Sequence, residues 1–256
     1  MPETKSVKMD EKTGTVIREG VEAIINPLDL YAVEIAIQLQ EKHGGEVIGV
    51  SMGPPKAITA LREAIAMGIH SAVLVSDSAF AGSDTWATSY VLAEAIKRIG
   101  DFSLVICGER ATDGDTGQVG PGIAAFLNLP VVTYVSGIER ICDGNCRVSR
   151  LVEDGYENLS SRLPSVLTVV KEVSIPRLPT LGGKQRAKKI EIPVWGKSEL
   201  NIDASKVGIN GSPTRVVKIF RPKITRRCEK VPAKDEESVE KAVDKLARFL
   251  QHKELI

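Results

Sequence analysis

The sequence is poor in the residue types that mark several classes of protein. Aromatic residues make up 4% of the chain, cysteine occurs 4 times, and the formal net charge is only +1. So few cysteines exclude a disulfide scaffold and fit free thiols in a reducing compartment. The low net charge excludes a chain that coats nucleic acid by bulk charge. No stretch approaches the ~18 apolar residues of a membrane span, and the first residues carry no signal-peptide core. We therefore expect a cytoplasmic protein without membrane insertion.

The sequence also lacks the residue patterns that nucleophilic catalysis and metal binding usually require. None of the three histidines, His43, His70 and His252, falls in a loop where a parallel sheet would bind ligands, so a Ser-His-Asp or Cys-His site is not expected. Cys142 and Cys146 have no second pair of ligands that would complete a zinc site. We therefore predict neither a catalytic residue nor a metal site.

Between residues 26 and 135 the sequence alternates between helical and strand periods. Asn26-Pro27-Leu28-Asp29 is typical of a helix start, because Asn26 can cap, Pro27 fits the first turn and Asp29 suits the positive helix end. The alternation predicts an α/β fold with a doubly wound parallel sheet, in which ligands bind beyond the carboxyl ends of the strands. The predicted helices cover residues 26–43, 54–67, 84–99 and 116–127, and the predicted strands cover 47–50, 72–76, 104–107 and 131–135.

The pattern changes after residue 135. Residues 136–170 are β-rich and complete a nucleotide-binding α/β domain over residues 1–173. The chain then becomes Pro-rich and basic, with seven Lys or Arg against three Asp or Glu in residues 171–200. Its prolines and glycines predict an exposed loop, and the lack of interleaved aromatic residues argues against nucleic acid. We assign residues 174–256 to a basic partner-docking loop and a C-terminal arm, which ends in a helix from Asp235 to about His252.

The densest group of candidate binding residues follows the predicted strand at 104–107. Its sequence is Asp113-Gly114-Asp115-Thr116-Gly117-Gln118-Val119-Gly120-Pro121. A Gly-rich loop that opens a helix lets backbone N–H groups approach a phosphate at the positive helix end. The two aspartates suit N–H capping, ribose hydroxyls or Mg²⁺, and a capped turn without a ligand fits the spacing equally well. Loops at 50–54 and 77–85 are expected at the same edge, which favours a nucleotide.

Six segments of the sequence match one family of proteins: residues 26–34, 60–68, 113–121, 150–157, 163–168 and 176–189. Together they resemble the beta subunit of electron transfer flavoproteins, over essentially the whole chain. The resemblance implies a Rossmann-like, adenine nucleotide alpha hydrolase-like fold and a heterodimer with an alpha subunit that carries FAD. Such a pair passes electrons between flavoenzymes, such as acyl-CoA dehydrogenases, and a downstream acceptor. The beta subunit binds AMP in the ordinary type and a second FAD, which takes hydride from NADH, in the bifurcating type.

The sequence of the 113–121 loop favours the bifurcating type. Ordinary subunits tend to have Asp-Asp-Asp-x-Asn-Gln-Thr-Gly-Gln there, and residues 82–88 also resemble the bifurcating pattern. Small residues and hydroxyls would leave room for an isoalloxazine, and NADH oxidation is expected only in that case. The alternatives are an ordinary subunit with structural AMP and, in another class, a non-redox nucleotide-binding regulatory module. The resemblance and the loop sequences predict these cofactor-binding residues: Asn26, Pro27, Leu28, Asp29, Met52, Gly53, Thr85, Thr88, Arg110, Thr112, Asp113, Gly114, Asp115, Thr116, Gly117, Gln118, Val119 and Gly120. For Arg110 a surface ion pair is an equally good interpretation.

The resemblance also implies a docking loop for the flavoenzyme partner. Leu181 matches an exposed apolar anchor, and Arg177, Lys184 and Arg186 surround it with positive charge, which suits weak, steered docking. An exposed leucine without a function is the alternative. Residues 182–186 depart from the usual family sequence, which leaves the identity of the partner open.

The family normally begins with an apolar strand that this sequence does not show. The strand would lie centrally in the sheet and contact the nucleotide, and its loss would expose backbone groups on both neighbouring strands. We therefore expect a misplaced start or a shortened chain. A natural precursor would then carry about 10–12 further apolar-rich residues, since typical strands run 3–10 residues.

Overall fold

A computed structural model of the protein describes residues 8–9, 16–17, 23–217 and 230–255. Two compact units make up the chain, residues 1–218 and residues 219–256. Residues 218–229 of the predicted basic arm, and most of residues 1–22, lie outside the described residues. In the part of the chain that is described, no helix is both long and apolar enough to cross a membrane.

The described residues form ten strands and eight helices. The strands are β1 (Lys8–Met9), β2 (Val16–Ile17), β3 (Ile48–Met52), β4 (Ser71–Val75), β5 (Leu104–Gly108), β6 (Val131–Cys142), β7 (Asn145–Val152), β8 (Gly155–Arg162), β9 (Ser165–Val169) and β10 (Val194–Trp195). The helices are α1 (Asp29–His43), α2 (Ile58–Met67), α3 (Thr85–Ile99), α4 (Val119–Leu127), α5 (Leu181–Lys189), α6 (Lys197–Leu200), α7 (Gly208–Gly211) and α8 (Glu236–His252).

Two larger sheets form the centre of the first unit. One is entirely parallel and has the strand order β10-β4-β3. The other has the order β5-β9-β6-β7-β8, parallel from β5 through β6 and antiparallel from β6 through β8. β1 and β2 form a separate antiparallel pair. The predicted α/β class and the β-rich segment after residue 135 are both confirmed, and the parallel strands lie in two sheets.

Helices cover both faces of the β4 sheet. Ala72 and Leu74 pack into a core cluster with α1 and α2, whereas Val73 and Val75 pack into a second cluster with α3. Successive strand residues point to opposite faces, so this alternation places α2 and α3 on opposite sides. α1 also packs on β5, and α3 packs on α4, which covers β9. The helices therefore link the two sheets.

The two sheets differ in how well their strands are covered. All five residues of β9 are buried, and so are all residues of β4 except the first, as expected for parallel strands with neighbours on both sides. β3 and β5 are the end strands of their sheets, and their residues are mostly half-buried. Among the described residues, no strand pairs with the outer edge of either one.

Two predicted elements differ from the structure. The helix expected from residue 116 begins at Val119, because Asp115 and Gly117 take positive φ values of 53° and 63° that a helix cannot contain. The stretch expected as a loop contains α5, whose first turn is capped by the Thr180 hydroxyl at 2.9 Å from the Gly183 nitrogen. Local glycine content therefore predicted the wrong structure for residues 181–189.

The second unit contains the predicted C-terminal helix, α8. Asp235 caps it by accepting a hydrogen bond from the Ser238 N–H at 2.9 Å. Glu237 and Lys241, four residues apart on this helix, form an ion pair at 2.6 Å. The apolar side chains along one face are about half exposed within this unit, so they do not form a core of their own; they include Val239, Val243, Leu246 and Phe249.

Candidate functional site

Three loops follow the carboxyl ends of β3, β4 and β5, at the edge where parallel sheets bind ligands. Gly53 directly follows Met52, the last residue of β3, and donates its N–H to the Val75 carbonyl at 3.0 Å. This bond ties the first loop to the end of β4, and it places the predicted residues Met52 and Gly53 at the expected edge. The three loops cover residues 53–57, 76–84 and 109–118.

The Asn26 side chain shapes the third loop. Its amide nitrogen donates to the Arg110 carbonyl at 2.9 Å, and its amide oxygen accepts the Thr112 N–H at 3.2 Å. The amide therefore pairs with the loop backbone much as a neighbouring strand would. The prediction that Asn26 caps α1 is wrong, since that helix begins after Leu28 and has no side-chain cap.

Asp29 fixes the end of β5. One carboxylate oxygen accepts the Gly108 N–H at 2.8 Å, and the other accepts from the Asn26 amide at 3.2 Å. Burial raises the pKa of Asp29 above its ordinary value, although both hydrogen bonds oppose the shift. A Cβ on Gly108 would lie 2.5 Å from the Asp29 oxygen. Asn26 and Asp29 were both predicted to bind the cofactor. In the structure, Asn26 binds the backbone of the third loop, and Asp29 binds the end of β5 directly before it.

The loop around residues 113–118 is open. Residues 110–116 are all exposed, and a Cβ on Gly114 would meet no atom within 4 Å. The Arg110 guanidinium pairs with Glu109 at 3.3 Å and with Asp115 at 3.1 Å, and its side chain is 49% exposed. The surface ion pair considered for Arg110 is therefore present. Such exposed pairs contribute about 0–1 kcal/mol, so they leave Arg110 free to exchange partners.

The second loop is closed by residues near the end of the first unit. Asp84 caps α3 by accepting the Ala87 N–H at 3.0 Å, and its other oxygen accepts the Thr214 N–H and hydroxyl at 2.9 and 2.7 Å. The Asp84 N–H donates to the Ser212 hydroxyl at 2.8 Å. Burial works against ionisation, but these hydrogen bonds lower the pKa of Asp84. The predicted residues Thr85 and Thr88 lie in the helical turn that Asp84 caps. Sequence reasoning missed Ser212 and Thr214, which carry no local signal.

The starts of α3 and α4 are in direct contact. Ser89 is fully buried, and its hydroxyl lies 2.6 Å from the Thr85 carbonyl oxygen and 3.2 Å from that of Val119. A Cβ on Gly122 would lie 2.3 Å from the same hydroxyl. Gly120 packs equally closely on Thr168 of β9. The glycines after the loop therefore serve close helix packing, and the second and third loops are held side by side.

Two of the predicted docking cations contact this chain itself. Arg177 forms a clamp on α1: its guanidinium donates to the buried Glu34 at 2.9 and 3.0 Å and to Glu41 at 2.6 and 3.0 Å. Arg186 donates to the carbonyls of Ile65 and Ile69 at the end of α2, at 2.6 and 2.8 Å. These bonds attach the segment 177–189 firmly to the domain.

The outward side of the same segment carries the other predicted docking residues. Leu181 is 82% exposed, and Lys184 is exposed one turn further along α5. Ile175 and Leu178 precede them and are 89% and 86% exposed. Three large apolar side chains therefore project from seven residues of a segment that arginine contacts hold in place.

Metal ligands and reactive thiols give no further site in the described part of the chain. No group of three or more His, Cys, Asp or Glu side chains there could hold a metal ion. Cys107 is a free thiol whose pKa burial raises to about 12, so it stays protonated at neutral pH.

A doubly wound α/β layer with three polar loops at one carboxyl edge defines a nucleotide-binding protein of the Rossmann-like class. Residues 13–200 match the model of the electron transfer flavoprotein domain. The chain belongs to the electron transfer flavoprotein family, as a beta subunit, and its members transfer electrons with flavoprotein partners.

Relatives that match most of the chain agree with this assignment. A caffeyl-CoA reductase-Etf complex subunit, CarD, of Acetobacterium woodii is 47% identical over 223 residues, which are 87% of this chain and 85% of that protein. An electron transfer flavoprotein subunit beta of Thermoanaerobacterium thermosaccharolyticum is 44% identical over 96% of this chain and 94% of its own length. Protein FixA of Azotobacter vinelandii is 40% identical over 100% of this chain and 94% of its own.

Proposed function

We propose that this chain is the beta subunit of a bifurcating-type electron transfer flavoprotein, with FAD bound at the carboxyl edge of its sheets. The observation that carries the proposal is the exposed loop at residues 113–118, whose sequence Asp-Gly-Asp-Thr-Gly-Gln differs from the Asp-Asp-Asp-x-Asn-Gln of ordinary subunits. The similarity of the chain to a subunit of a caffeyl-CoA reductase-Etf complex supports the same assignment. FAD bound there would supply hydride acceptance from NADH and onward electron transfer.

The residues at this edge are better suited to bind a dinucleotide than to form a closed turn without a ligand. Gly114 borders open space, and residues 110–116 are exposed, so the loop leaves room for a ligand. The N–H groups at the start of α4 lack helical partners, which suits a phosphate. We assign to FAD the residues that the resemblance predicts, from Asn26 through Asp29, Met52 and Gly53, Thr85 and Thr88, and residues 110 and 112–120.

In the proposed reaction, the residues of this chain hold and orient the bound FAD. Asn26 and Asp29 fix the backbone of the third loop, and Asp84 fixes the start of α3. Thr85 and Thr88 supply hydroxyl donors in the turn beside that loop. The Arg110 side chain, held only by exposed ion pairs, supplies a positive charge that can turn toward a reduced ring or a phosphate.

The alternative within the family is an ordinary subunit that binds AMP as a structural ligand. The open loop accommodates AMP as well, so cofactor content decides between the two. Family membership favours either form of electron carrier over a non-redox regulatory module.

We also propose that the chain forms a heterodimer with an alpha subunit and docks an acyl-CoA dehydrogenase-type flavoenzyme through Leu181. The exposure of Leu181 and Lys184 supports this role. Arg177 and Arg186 then support docking by holding the segment, since their guanidinium groups bind this chain.

The cofactor assignment is tested by the flavin and adenine-nucleotide content of the copurified heterodimer, measured by chromatography after denaturation. Two FAD and no AMP per heterodimer would support the proposal and make reduction by NADH the next measurement. One FAD with one AMP would refute the bifurcating assignment and leave a one-flavin electron carrier.

A further inference from the structure

We propose that Trp86 is a specificity-determining residue of the nucleotide site, whose indole packs against the isoalloxazine ring of FAD. The inference rests on the proposed FAD binding and names a contact that the family resemblance does not supply. Trp86 follows Thr85 directly and is the second residue of α3. It therefore lies in the turn that opens toward the carboxyl edge of the sheets.

The exposure of Trp86 is unusual for so large an apolar side chain. It is 40% exposed, whereas most of the residues on the inner face of α3, among them Ala87 and Val91, are fully buried. Aromatic side chains bury more apolar surface than any other type, and an exposed one is a common anchor for a planar ligand. The indole is therefore available for a contact that this chain does not make by itself.

Neighbouring rings hold the indole in one place. The Trp86 ring stacks on Tyr90 with centroids 6.4 Å apart and an interplanar angle of 22°, and it meets the edge of Phe126 at 5.2 Å. Tyr90 and Phe126 are themselves in contact at 5.4 Å. A ring supported in this way loses little conformational entropy when a second planar ring packs against it.

The packing of α3 on α4 places the first turn of α3, which contains Trp86, beside the first turn of α4. The Ser89 hydroxyl bonds the carbonyls of Thr85 and Val119, and Gly122 leaves room for it. Phe126 is one helical turn beyond Gly122 on the same face of α4. The residue that precedes Trp86 and the first residue of α4 are thus held beside each other.

The second tryptophan provides a matched control. The Arg98 guanidinium lies 4.8 Å from the ring centroid of Trp195, which is the last residue of β10, at the edge of its sheet opposite β3. A ring covered by a cation in this way is not available to a ligand. Variants of the two tryptophans therefore separate a ligand contact from a general loss of aromatic packing.

The test compares Trp86→Leu, Trp86→Phe and Trp195→Phe with the unchanged chain, each in the copurified heterodimer. FAD and AMP affinities, the visible circular dichroism of the flavin and the thermal midpoint are measured. Loss of aromatic stacking by Trp86→Leu should raise the Kd for FAD by roughly tenfold or more, since stacking on a nucleobase contributes about 1–3 kcal/mol. The Kd for AMP should change less than about twofold, and Trp86→Phe should restore most of the FAD affinity. Trp195→Phe should leave all four measurements near those of the unchanged chain.

Two results would overturn the role of Trp86 while leaving FAD binding in place. One is a Trp86→Leu heterodimer that holds FAD as tightly as the unchanged one with the same flavin dichroism. The other is an equal loss of FAD and AMP affinity together with a lowered thermal midpoint, which would mean a purely structural effect. An unchanged heterodimer that holds AMP and no second FAD would instead refute the proposed function itself.

Discussion

Removing Arg177 should destabilise the first unit through the carboxylate that it leaves behind. Glu34 is 3% exposed, and three of its hydrogen bonds come from the Arg177 backbone and guanidinium. Breaking a buried ion pair by removing one partner costs roughly 3–5 kcal/mol. The Arg177 side chain is 34% exposed, so in its absence water can reach Glu34 and replace some of the lost hydrogen bonds. We therefore expect Arg177→Ala to lower the free energy of unfolding by about 2–3 kcal/mol at pH 7.

The pH dependence gives the sharper test. Burial by itself would raise the pKa of Glu34, but the hydrogen bonds from Arg177 hold it below its ordinary value of 4.5. The folded unmodified protein therefore gains stability from Glu34 above that ordinary value, and loses it as pH falls through the lower folded pKa. In Arg177→Ala the guanidinium bonds are lost and burial is opposed only by the backbone N–H of residue 177 and by Gln38, so the pKa of Glu34 should rise. The loss of unfolding free energy in Arg177→Ala, relative to the unmodified protein, should then be largest at neutral pH and should shrink as Glu34 is protonated.

Urea unfolding followed by far-ultraviolet circular dichroism between pH 4 and pH 8 measures both effects. Lys184→Ala, which removes an exposed cation from the same segment, is the matched control and should change stability by less than about 0.5 kcal/mol. In a Glu34→Gln background, Arg177→Ala should cost less than about 1 kcal/mol. A loss of unfolding free energy in Arg177→Ala that does not vary with pH would refute the argument. So would an equally large loss when Arg177→Ala is made in the Glu34→Gln protein.

Three further predictions test other contacts. Gly122→Ala places a Cβ 2.3 Å from the Ser89 hydroxyl and 2.7 Å from the Ser89 Cβ and should cost about 1–3 kcal/mol of unfolding free energy. Ser89→Ala in the same chain should restore only part of it, because the Cβ clash remains; a stable single variant would contradict this packing. Asp235→Ala removes the α8 cap and should lower stability of that helix by about 1 kcal/mol, seen as lost helical dichroism, whereas Asp235→Asn should retain it. Cys107, with its pKa raised to about 12, should resist a thiol reagent at pH 8 in the folded protein while Cys142 reacts, and rapid labelling of Cys107 would contradict the raised pKa.

Local signals predicted the helices whose ends are fixed locally. Asp84 and Asp235 each cap the next helix through a backbone N–H three residues on, and that spacing is visible in the sequence. α5 was missed because its stability comes from distant contacts. Arg186 bonds the carbonyls at the end of α2, and Arg62 of α2 bonds the Ala187 carbonyl in return. No pattern within residues 181–189 records those partners.

The candidate site shows the same division. The sequence predicted which loops meet at the sheet edge, since that follows from the alternation of helices and strands. It did not predict that Asn26 binds the loop backbone 84 residues away, or that Ser212 and Thr214 close the loop at Asp84. Such contacts depend on how elements pack after the chain folds, so composition and spacing carry no record of them.

The Asn26 amide also sets how quickly a ligand can bind. Because it holds the backbone at residues 110 and 112 from both a donor and an acceptor atom, the start of the loop keeps its shape before any ligand arrives. A nucleotide then meets a preorganised surface and needs to order only residues 113–118, which lowers the entropy lost on binding. Association at this edge should accordingly be slowed only by the ordering of residues 113–118 and not by the folding of the whole loop.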